Sequence, residues 1–159
     1  MIKKASRWAK IIGALPFVRK VSLTGSLAEG LGTEQSDIDL FVQVVPGRLY
    51  LTRLLVTLFA ELFGVRRRAD KIAGRICLNW FASFDGPLKQ GRPHQVLWQF
   101  EGSERLFEKL LSGRLGDKLE AITKIIQQKR FRADPRTLMP GSQVRFSDKE
   151  LGFHPPKGS

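Results

Sequence analysis

Two segments carry most of the structural information in this chain: VSLTGS at residues 21–26 and DIDLFVQVV at residues 37–45. Both are rich in β-branched and apolar residues, which is typical of strands. The first segment ends in a Gly-Ser pair, where a turn or a helix begins, and a Pro-Gly pair stops the second. The pattern therefore predicts two strands joined by a short connection.

The residues that point to chemistry lie where these strands end and begin. A turn at Gly25-Ser26 lets backbone N–H groups and a hydroxyl approach a phosphate closely. Asp37 and Asp39 project from the same face of the second strand, where two carboxylates repel each other unless a cation binds between them. Mg²⁺ prefers such oxygen ligands. A solvated strand end with two surface acids is the alternative, but the Gly-Ser pair at this spacing favours the metal interpretation.

The surrounding hydrophobic periodicity predicts alternating helices and strands. Residues 95–100 fit a helix or a strand equally. The order of elements indicates an α/β (α+β) fold, with a small mixed β-sheet flanked by helices. The predicted helices cover residues 2–15, 27–31, 48–63, 103–111 and 115–130, and the predicted strands cover residues 18–23, 38–45 and 75–83.

The length of 159 residues suits one domain with a real core rather than two. We expect a single domain over residues 1–131, with a C-terminal helical extension over residues 95–130. Beyond it, residues 132–159 are basic, contain four prolines and lack apolar periodicity. This last segment therefore predicts an irregular, mobile tail.

The charge of the chain is large and unevenly distributed. There are 27 Lys and Arg against 15 Asp and Glu, a net charge of +12, which points to a polyanionic partner such as nucleic acid, a nucleoside triphosphate or an anionic surface. Residues 21–45 nevertheless hold four acids and no base. The single cysteine excludes a disulfide framework and a Cys-rich zinc site, and the two histidines lie sixty residues apart.

No segment of the sequence predicts a membrane span. The most apolar stretch, residues 49–65, contains Arg53 and Glu61 and falls short of the roughly 20 apolar residues that a span needs. The apolar run near the N-terminus is interrupted by Gly13 and Pro16, which argues against a signal peptide. We therefore expect a cytoplasmic protein.

Over residues 18–83 the chain resembles the DNA polymerase beta-type nucleotidyltransferase superfamily. The resemblance rests on LTGS at residues 23–26, a spacer of ten residues, and DIDL at residues 37–40. That superfamily places a hydrophobic residue before Gly-Ser, a spacer of about this length, and then Asp-x-Asp. Turn, spacing and strand context agree, so the resemblance implies a nucleotidyltransferase-like fold.

The resemblance also implies roles for four residues. Gly25 and Ser26 would hold the triphosphate of a nucleoside triphosphate. Asp37 and Asp39 would bind a pair of Mg²⁺ ions when that nucleotide is present. A nucleoside monophosphate would then be transferred to an acceptor, and pyrophosphate would be released.

The chain departs from this family in one respect. The family usually supplies a third carboxylate from a neighbouring strand, but the candidate strand at residues 75–83 contains no Asp or Glu. Cys77 and Asn79 share a face of that strand, so one of them occupies the expected position, and Asn79 is the better oxygen ligand. An amide cannot act as a general base at neutral pH.

A basic loop with Arg66, Arg67, Arg68 and Lys71 lies between the helix and this strand. It is interpreted either as a surface that contacts a triphosphate or an RNA backbone, or as a solvated loop. The sequence favours neither interpretation.

Two functions fit the whole pattern. The favoured one is a Mg²⁺-dependent nucleotidyltransferase that acts on an acceptor hydroxyl of RNA, protein or a small molecule. The alternative is a non-catalytic nucleotide- or RNA-binding protein derived from the same fold, in which the third carboxylate has been lost. The chain is short, so either the region 95–130 or a protein partner would have to recognise the acceptor.

Overall fold

Six strands of the described residues form one sheet, and helices pack against it. The computed structural model describes residues 1–68, 70–86, 94–102 and 105–154. Its strands are β1 (Val18–Thr24), β2 (Ile38–Val44), β3 (Ile76–Ser83), β4 (Gln95–Gln99), β5 (Gln143–Phe146) and β6 (Glu150–His154). Its helices are α1 (Ile2–Gly13), α2 (Gly25–Ala28), α3 (Leu49–Leu62), α4 (Leu106–Leu110), α5 (Arg114–Arg132) and α6 (Pro135–Leu138).

The strands follow the order β4-β1-β2-β3-β6-β5 across the sheet. Strands β2 and β3 run parallel, and every other neighbouring pair runs antiparallel. A parallel pair needs a crossover connection, which α3 supplies between β2 and β3. The result is the α/β fold with a small mixed sheet that the sequence predicts.

Strand β2 lies inside the sheet and presents two different faces. Its alternate apolar side chains are fully buried in the main core, together with residues of α1 and α3. Asp39 and Phe41 point to the other face, where Phe41 stacks on Trp80 with ring centroids 3.9 Å apart. Asp39 therefore faces away from the main core. The buried residues of β2 on the core face are Ile38, Leu40, Val42 and Val44.

The five helices predicted from the sequence correspond to α1–α5, with bounds that differ by a few residues. Residues 95–100, which the sequence left open, contribute β4 at an edge of the sheet. The helix predicted over residues 103–111 is α4, and residues 103–104 lie outside the described part of the chain. Among the described residues, no helix combines the length and the apolar character needed to cross a bilayer.

The prediction of an irregular tail over residues 132–159 is wrong for most of that segment. Strands β5 and β6 form a hairpin, and β6 pairs with β3, so the segment completes the sheet. Leu151 is fully buried in the main core, and Phe153 packs there as well. The two strands are only four and five residues long, so their apolar alternation is short. The prolines near them favoured the prediction of an irregular segment. Residues 155–159 lie outside the described part.

Candidate active site

The two acids of the Asp-Ile-Asp motif lie where β2 begins. Asp37 directly precedes the strand, and Asp39 pairs with Thr24 of β1 on one side and with Cys77 of β3 on the other. One oxygen of each acid and the sulfur of Cys77 all lie within 4.8 Å of one another. The predicted acids therefore form one cluster with a side chain of the neighbouring strand.

Gly25 brings the Gly-Ser turn into direct contact with this cluster. Its φ is +70°, in the left-handed region that favours glycine. A Cβ built on Gly25 would overlap Oδ2 of Asp39. Any other residue at this position would therefore strain the backbone and displace the carboxylate. Ser26 follows in α2, so the predicted phosphate-binding pair lies next to the acids.

A β-bulge in β3 brings Asn79 to the same place. Leu78 and Asn79 together lie opposite a single residue of β2. Nδ2 of Asn79 donates a hydrogen bond to Oδ1 of Asp39 over 3.1 Å. Oδ1 of Asn79 is buried and has no hydrogen-bond partner among the described residues. A buried oxygen without a partner is costly to the fold, so it points to a ligand that binds there.

The electrostatics of the cluster favour a cation. Burial, followed by repulsion from Asp37, raises the pKa of the Asp39 carboxyl above its usual value. Arg67 offsets part of the negative charge, because its Nη1 lies 3.0 Å from Oδ2 of Asp37. A bound cation would stabilise both carboxylates in their ionised form.

Cys77 is a poor ligand for a hard cation such as Mg²⁺, which prefers oxygen to soft sulfur. Burial, together with the charge of Asp39, raises the pKa of its thiol to about 12. Without a bound cation the thiol is therefore protonated at neutral pH. Of the two residues at the expected third-carboxylate position, Asn79 is the one that offers an oxygen. Asp37 and Asp39 form a possible site for a metal ion, and the amide of Asn79 lies beside it.

A cavity of about 390 Å³ opens beside the acid cluster. Cys77 and Asn79 form part of its wall on β3, and Phe153 of β6 forms another part. The three consecutive arginines of the basic loop reach it, whereas Lys71 is exposed and is absent from the described lining. The arginines that line it are Arg53, Arg66, Arg67, Arg68 and Arg136.

Comparison with known proteins agrees with this geometry. A family model described as a nucleotidyltransferase domain matches residues 6–112, which is more than half of the chain. The chain belongs to the nucleotidyltransferase domain family. The family predicted from the two motifs is therefore confirmed, and it implies a nucleotide as substrate.

Comparison with individual proteins adds little to the family assignment. No curated protein matches this nucleotidyltransferase domain. A solved structure described as a toxin-antitoxin with AMP-PNP aligns with 86% of this chain and 91% of its own, at 16% sequence identity and a TM-score of 0.34. At so low a TM-score, the match carries no argument about the function of this chain.

Sequence reasoning missed one arginine of the cavity and did not predict that another would reach it. Arg53 comes from α3, where an arginine interrupts an otherwise apolar stretch, and that interruption was the available signal. Arg136 comes from α6, inside the segment predicted to be irregular. Both positions depend on long-range packing, which local patterns do not reveal.

Proposed function

We propose that the protein is a Mg²⁺-dependent nucleotidyltransferase that transfers a nucleoside monophosphate from a nucleoside triphosphate to an acceptor hydroxyl. The observation that carries this proposal is the contact between the Gly-Ser turn and the acids: only a glycine fits against Asp39 at position 25. A turn suited to phosphate and a carboxylate pair suited to a cation thus meet at one point. That combination serves a metal-bound polyphosphate better than either feature alone.

Asp37, Asp39 and Oδ1 of Asn79 would hold the metal. The fit rests on the chemistry of these donors, because all three offer oxygen and the amide oxygen is buried without a partner. When bound, Mg²⁺ neutralises charge on the phosphate oxygens and lowers the barrier to displacement at phosphorus. We expect two ions when a nucleoside triphosphate is bound.

Gly25 and Ser26 would hold the triphosphate through backbone N–H groups and the serine hydroxyl. In the reaction, the acceptor oxygen bonds to the α-phosphorus, and the bond from that phosphorus to the bridging oxygen breaks. Pyrophosphate leaves, and the proton of the acceptor hydroxyl passes to solvent. Catalysis of phosphoryl transfer is mostly positioning and charge stabilisation, so the reaction proceeds more slowly, but still proceeds, without a third carboxylate.

The absence of an acid from β3 favours a second candidate function. A protein that binds a nucleotide or RNA without reacting needs no group to accept the proton of an acceptor. Neither Cys77 nor Asn79, one of which is expected at the position of the third carboxylate, can accept that proton at neutral pH. The intact pair Asp37 and Asp39 favours the enzyme, since two close carboxylates are unfavourable in a site that binds no cation.

The test incubates the purified protein with each α-labelled nucleoside triphosphate, Mg²⁺ and a panel of acceptors that includes RNA and the protein itself. We expect labelled product from the wild type, and a loss of roughly a thousandfold in Asp39→Asn. Glu34→Gln is the matched control, because it removes an exposed acid from the same acidic segment. It should transfer at the wild-type rate.

A second measurement separates the two candidate functions. The melting temperature of the wild type should rise on addition of Mg²⁺ with a nonhydrolysable triphosphate analogue, and that rise should vanish in Asp39→Asn. Stabilisation without any labelled product would favour the binding protein. If neither product nor stabilisation is seen, the proposal is wrong.

A further inference from the structure

The arginine-lined cavity contains a cation that the protein does not neutralise. Arg53 lies between two aromatic rings, with its guanidinium carbon 4.7 Å from the ring centre of Phe131 and 4.9 Å from that of Phe153. Its Nη1 donates to Oε1 of Gln127 over 2.8 Å. Its Nε is buried and has no hydrogen-bond partner among the described residues, and none of their carboxylates forms an ion pair with it.

The other arginines of the cavity are only partly neutralised. Arg66 and Arg68 share one carboxylate, Glu61, at 2.6 Å and 2.7 Å. Arg136 pairs with Asp134 at 2.7 Å, and Arg67 pairs with an acid of the cluster. Four of the five guanidinium groups that line the cavity thus pair with a described carboxylate, and Arg53 is the one that does not. An anion that binds beside Arg53 would supply the missing partner.

The electrostatic surroundings of Arg53 also favour a bound anion. Burial, followed by the charges of Arg66, Arg130 and Arg136, lowers the pKa of its guanidinium to about 10. The guanidinium is still charged at neutral pH, so the protein holds a cation in a half-buried position among other cations. This is unfavourable without an anion.

The cavity lies on the acceptor side of the proposed reaction. Gly25 follows β1, and the cavity lies along β3 and β6, so Asp39 on β2 stands between them. In an in-line displacement, the attacking and leaving oxygens lie on opposite sides of the phosphorus. If the triphosphate binds against Gly25 with its pyrophosphate toward β1, the attacking hydroxyl would come from the β3 side, where the cavity opens.

The basic residues extend beyond one phosphate site. The last turn of α5 carries Lys129, Arg130 and Arg132, and Arg136 follows in α6. The charge of Arg130 acts on Arg53, and a pocket with further cations around it suits a chain of phosphates better than a single phosphorylated molecule.

We propose that the arginine-lined cavity binds a backbone phosphate of a nucleic-acid strand, and that this strand supplies the acceptor hydroxyl. The acceptor role rests on the proposed function, whereas binding of the strand does not. Arg53 and Arg136 contact the phosphate, and the basic end of α5 follows the neighbouring phosphates.

The test measures fluorescence anisotropy of fluorescein-labelled single strands of ten nucleotides, RNA and DNA in separate arms, without Mg²⁺ or nucleotide. We expect Arg53→Gln and Arg136→Ala each to weaken binding about fivefold to tenfold and to lower the salt dependence by about one charge. Arg136 is largely exposed, so Arg136→Ala keeps the fold if Arg53→Gln does not. Arg7→Ala is the matched control, because it removes an exposed charge from α1, which packs at the β1–β4 side of the sheet.

Three results would overturn the proposal. The first is unchanged strand binding in both cavity variants, or an equal loss in Arg7→Ala. The second is equal affinity for the strand and for a single nucleoside monophosphate, which would indicate a small phosphorylated ligand instead. The third is loss of the thermal shift by Mg²⁺ and triphosphate analogue in Arg136→Ala with strand binding intact, which would assign these arginines to the triphosphate.

Failure of the proposed function gives a different result. In that case the wild type transfers no nucleotide to any strand, while the cavity variants still lose strand binding selectively. This outcome would support the phosphate site and would rule out the role of the strand as acceptor. Success of both proposals requires that labelled nucleotide join the strand and that Arg136→Ala raise the strand concentration needed for half-maximal transfer.

Discussion

Two carboxylate sites at opposite ends of β1 are built in opposite ways. At one end, Glu108 of α4 is buried and accepts four hydrogen bonds. They come from the backbone N–H of Phe17 at 2.7 Å, from two nitrogens of Arg19 at 2.9 Å and 2.7 Å, and from the backbone N–H of Arg105 at 3.3 Å. At the other end, Asp39 accepts a bond from Asn79 and has a second acid beside it.

The pKa values of the two carboxyls shift in opposite directions. Burial raises the pKa of Glu108, but the bonds from Arg19, Phe17 and Arg105 outweigh it, so the net shift is downward. Burial and a neighbouring acid raise the pKa of Asp39. The fold surrounds Glu108 with four hydrogen-bond donors, two of them from a cation, whereas it gives Asp39 fewer donors and a neighbouring negative charge. The first carboxylate therefore stabilises the protein, and the second has its charge available for a ligand.

The largest effect expected from this comparison is on stability. Glu108→Ala removes the carboxylate that accepts two hydrogen bonds from the nearly buried guanidinium of Arg19 and one from the backbone N–H of Phe17. We expect the free energy of unfolding, measured in urea, to fall by about 3–5 kcal/mol. Glu101→Ala, an exposed acid nearby, should change it by less than about 0.5 kcal/mol. An equal loss in both variants would show that Glu108 is not a buried anchor.

The difference in stability between the wild type and Glu108→Ala should also depend on pH. The folded pKa of Glu108 lies below its usual value of 4.5, so its contribution is complete above pH 4.5 and is lost as the pH falls through the folded pKa. The difference in stability between wild type and Glu108→Ala should therefore narrow under acid conditions. A difference that is constant from pH 7 to about pH 3 would contradict the assigned role.

The second-largest effect is expected on the rate of nucleotide transfer. It tests the end of β1 that lies next to Asp39. Gly25→Ala forces a side chain against Asp39, so we expect the rate of transfer to fall about a hundredfold. Gly47→Ala is the matched control, since φ there is +74° and a Cβ would meet no atom within 4 Å. Both variants should lose about 1–2 kcal/mol of stability from the left-handed backbone. Only Gly25→Ala should lose transfer.

The motif around these residues was predictable because it is local. Strands β1 and β2, the crossover helix α3 and strand β3 each follow from apolar spacing within a short window. The clustering of Gly25 with Asp37 and Asp39 follows once β1 and β2 are neighbours. The resemblance to nucleotidyltransferases supplied that arrangement from the spacing of the motif alone.

Other features were not predictable because they depend on distant parts of the chain. The pairing of β6 with β3 joins residues about seventy positions apart, such as Trp80 and Gly152. The bulge that turns Asn79 toward Asp39 is a matter of register, which a single strand does not encode. Arg53 gains Phe131 and Phe153 as neighbours only when α5 and the C-terminal hairpin pack next to α3.

The third prediction restores a carboxylate at the position where the family usually carries one. In Asn79→Asp, the new acid can accept a proton from the acceptor hydroxyl and adds a ligand for the metal. We expect the rate of transfer to rise about tenfold, because general base catalysis contributes at least that much in other enzymes. Asn79→Ala should lower the rate, which separates a gain from the acid from a gain due to loss of the amide. A slower Asn79→Asp would place the missing group elsewhere.

The smallest effect is expected on the stability of Asp39→Asn, which tests the contrast between Asp39 and Glu108 most directly. Asp39→Asn removes a charge that burial and Asp37 disfavour, while its amide oxygen can still accept the bond from Asn79. Without Mg²⁺ at pH 7, we expect the free energy of unfolding to rise by about 1 kcal/mol, although transfer is lost. This gain has the opposite sign to the effect of Glu108→Ala.

The pH dependence of the stability gain in Asp39→Asn should also be opposite to that of the stability loss in Glu108→Ala. The folded pKa of Asp39 lies above its usual value of 3.8, so the carboxyl begins to destabilise the wild type as the pH rises above 3.8, and this cost is complete above the folded pKa. As the pH falls, the carboxyl becomes protonated and the advantage of Asp39→Asn disappears. Saturating Mg²⁺ should reverse the order at pH 7, because only the wild type keeps both carboxylates for the cation. If Asp39→Asn is less stable than the wild type without Mg²⁺, then Asp39 is a structural carboxylate like Glu108.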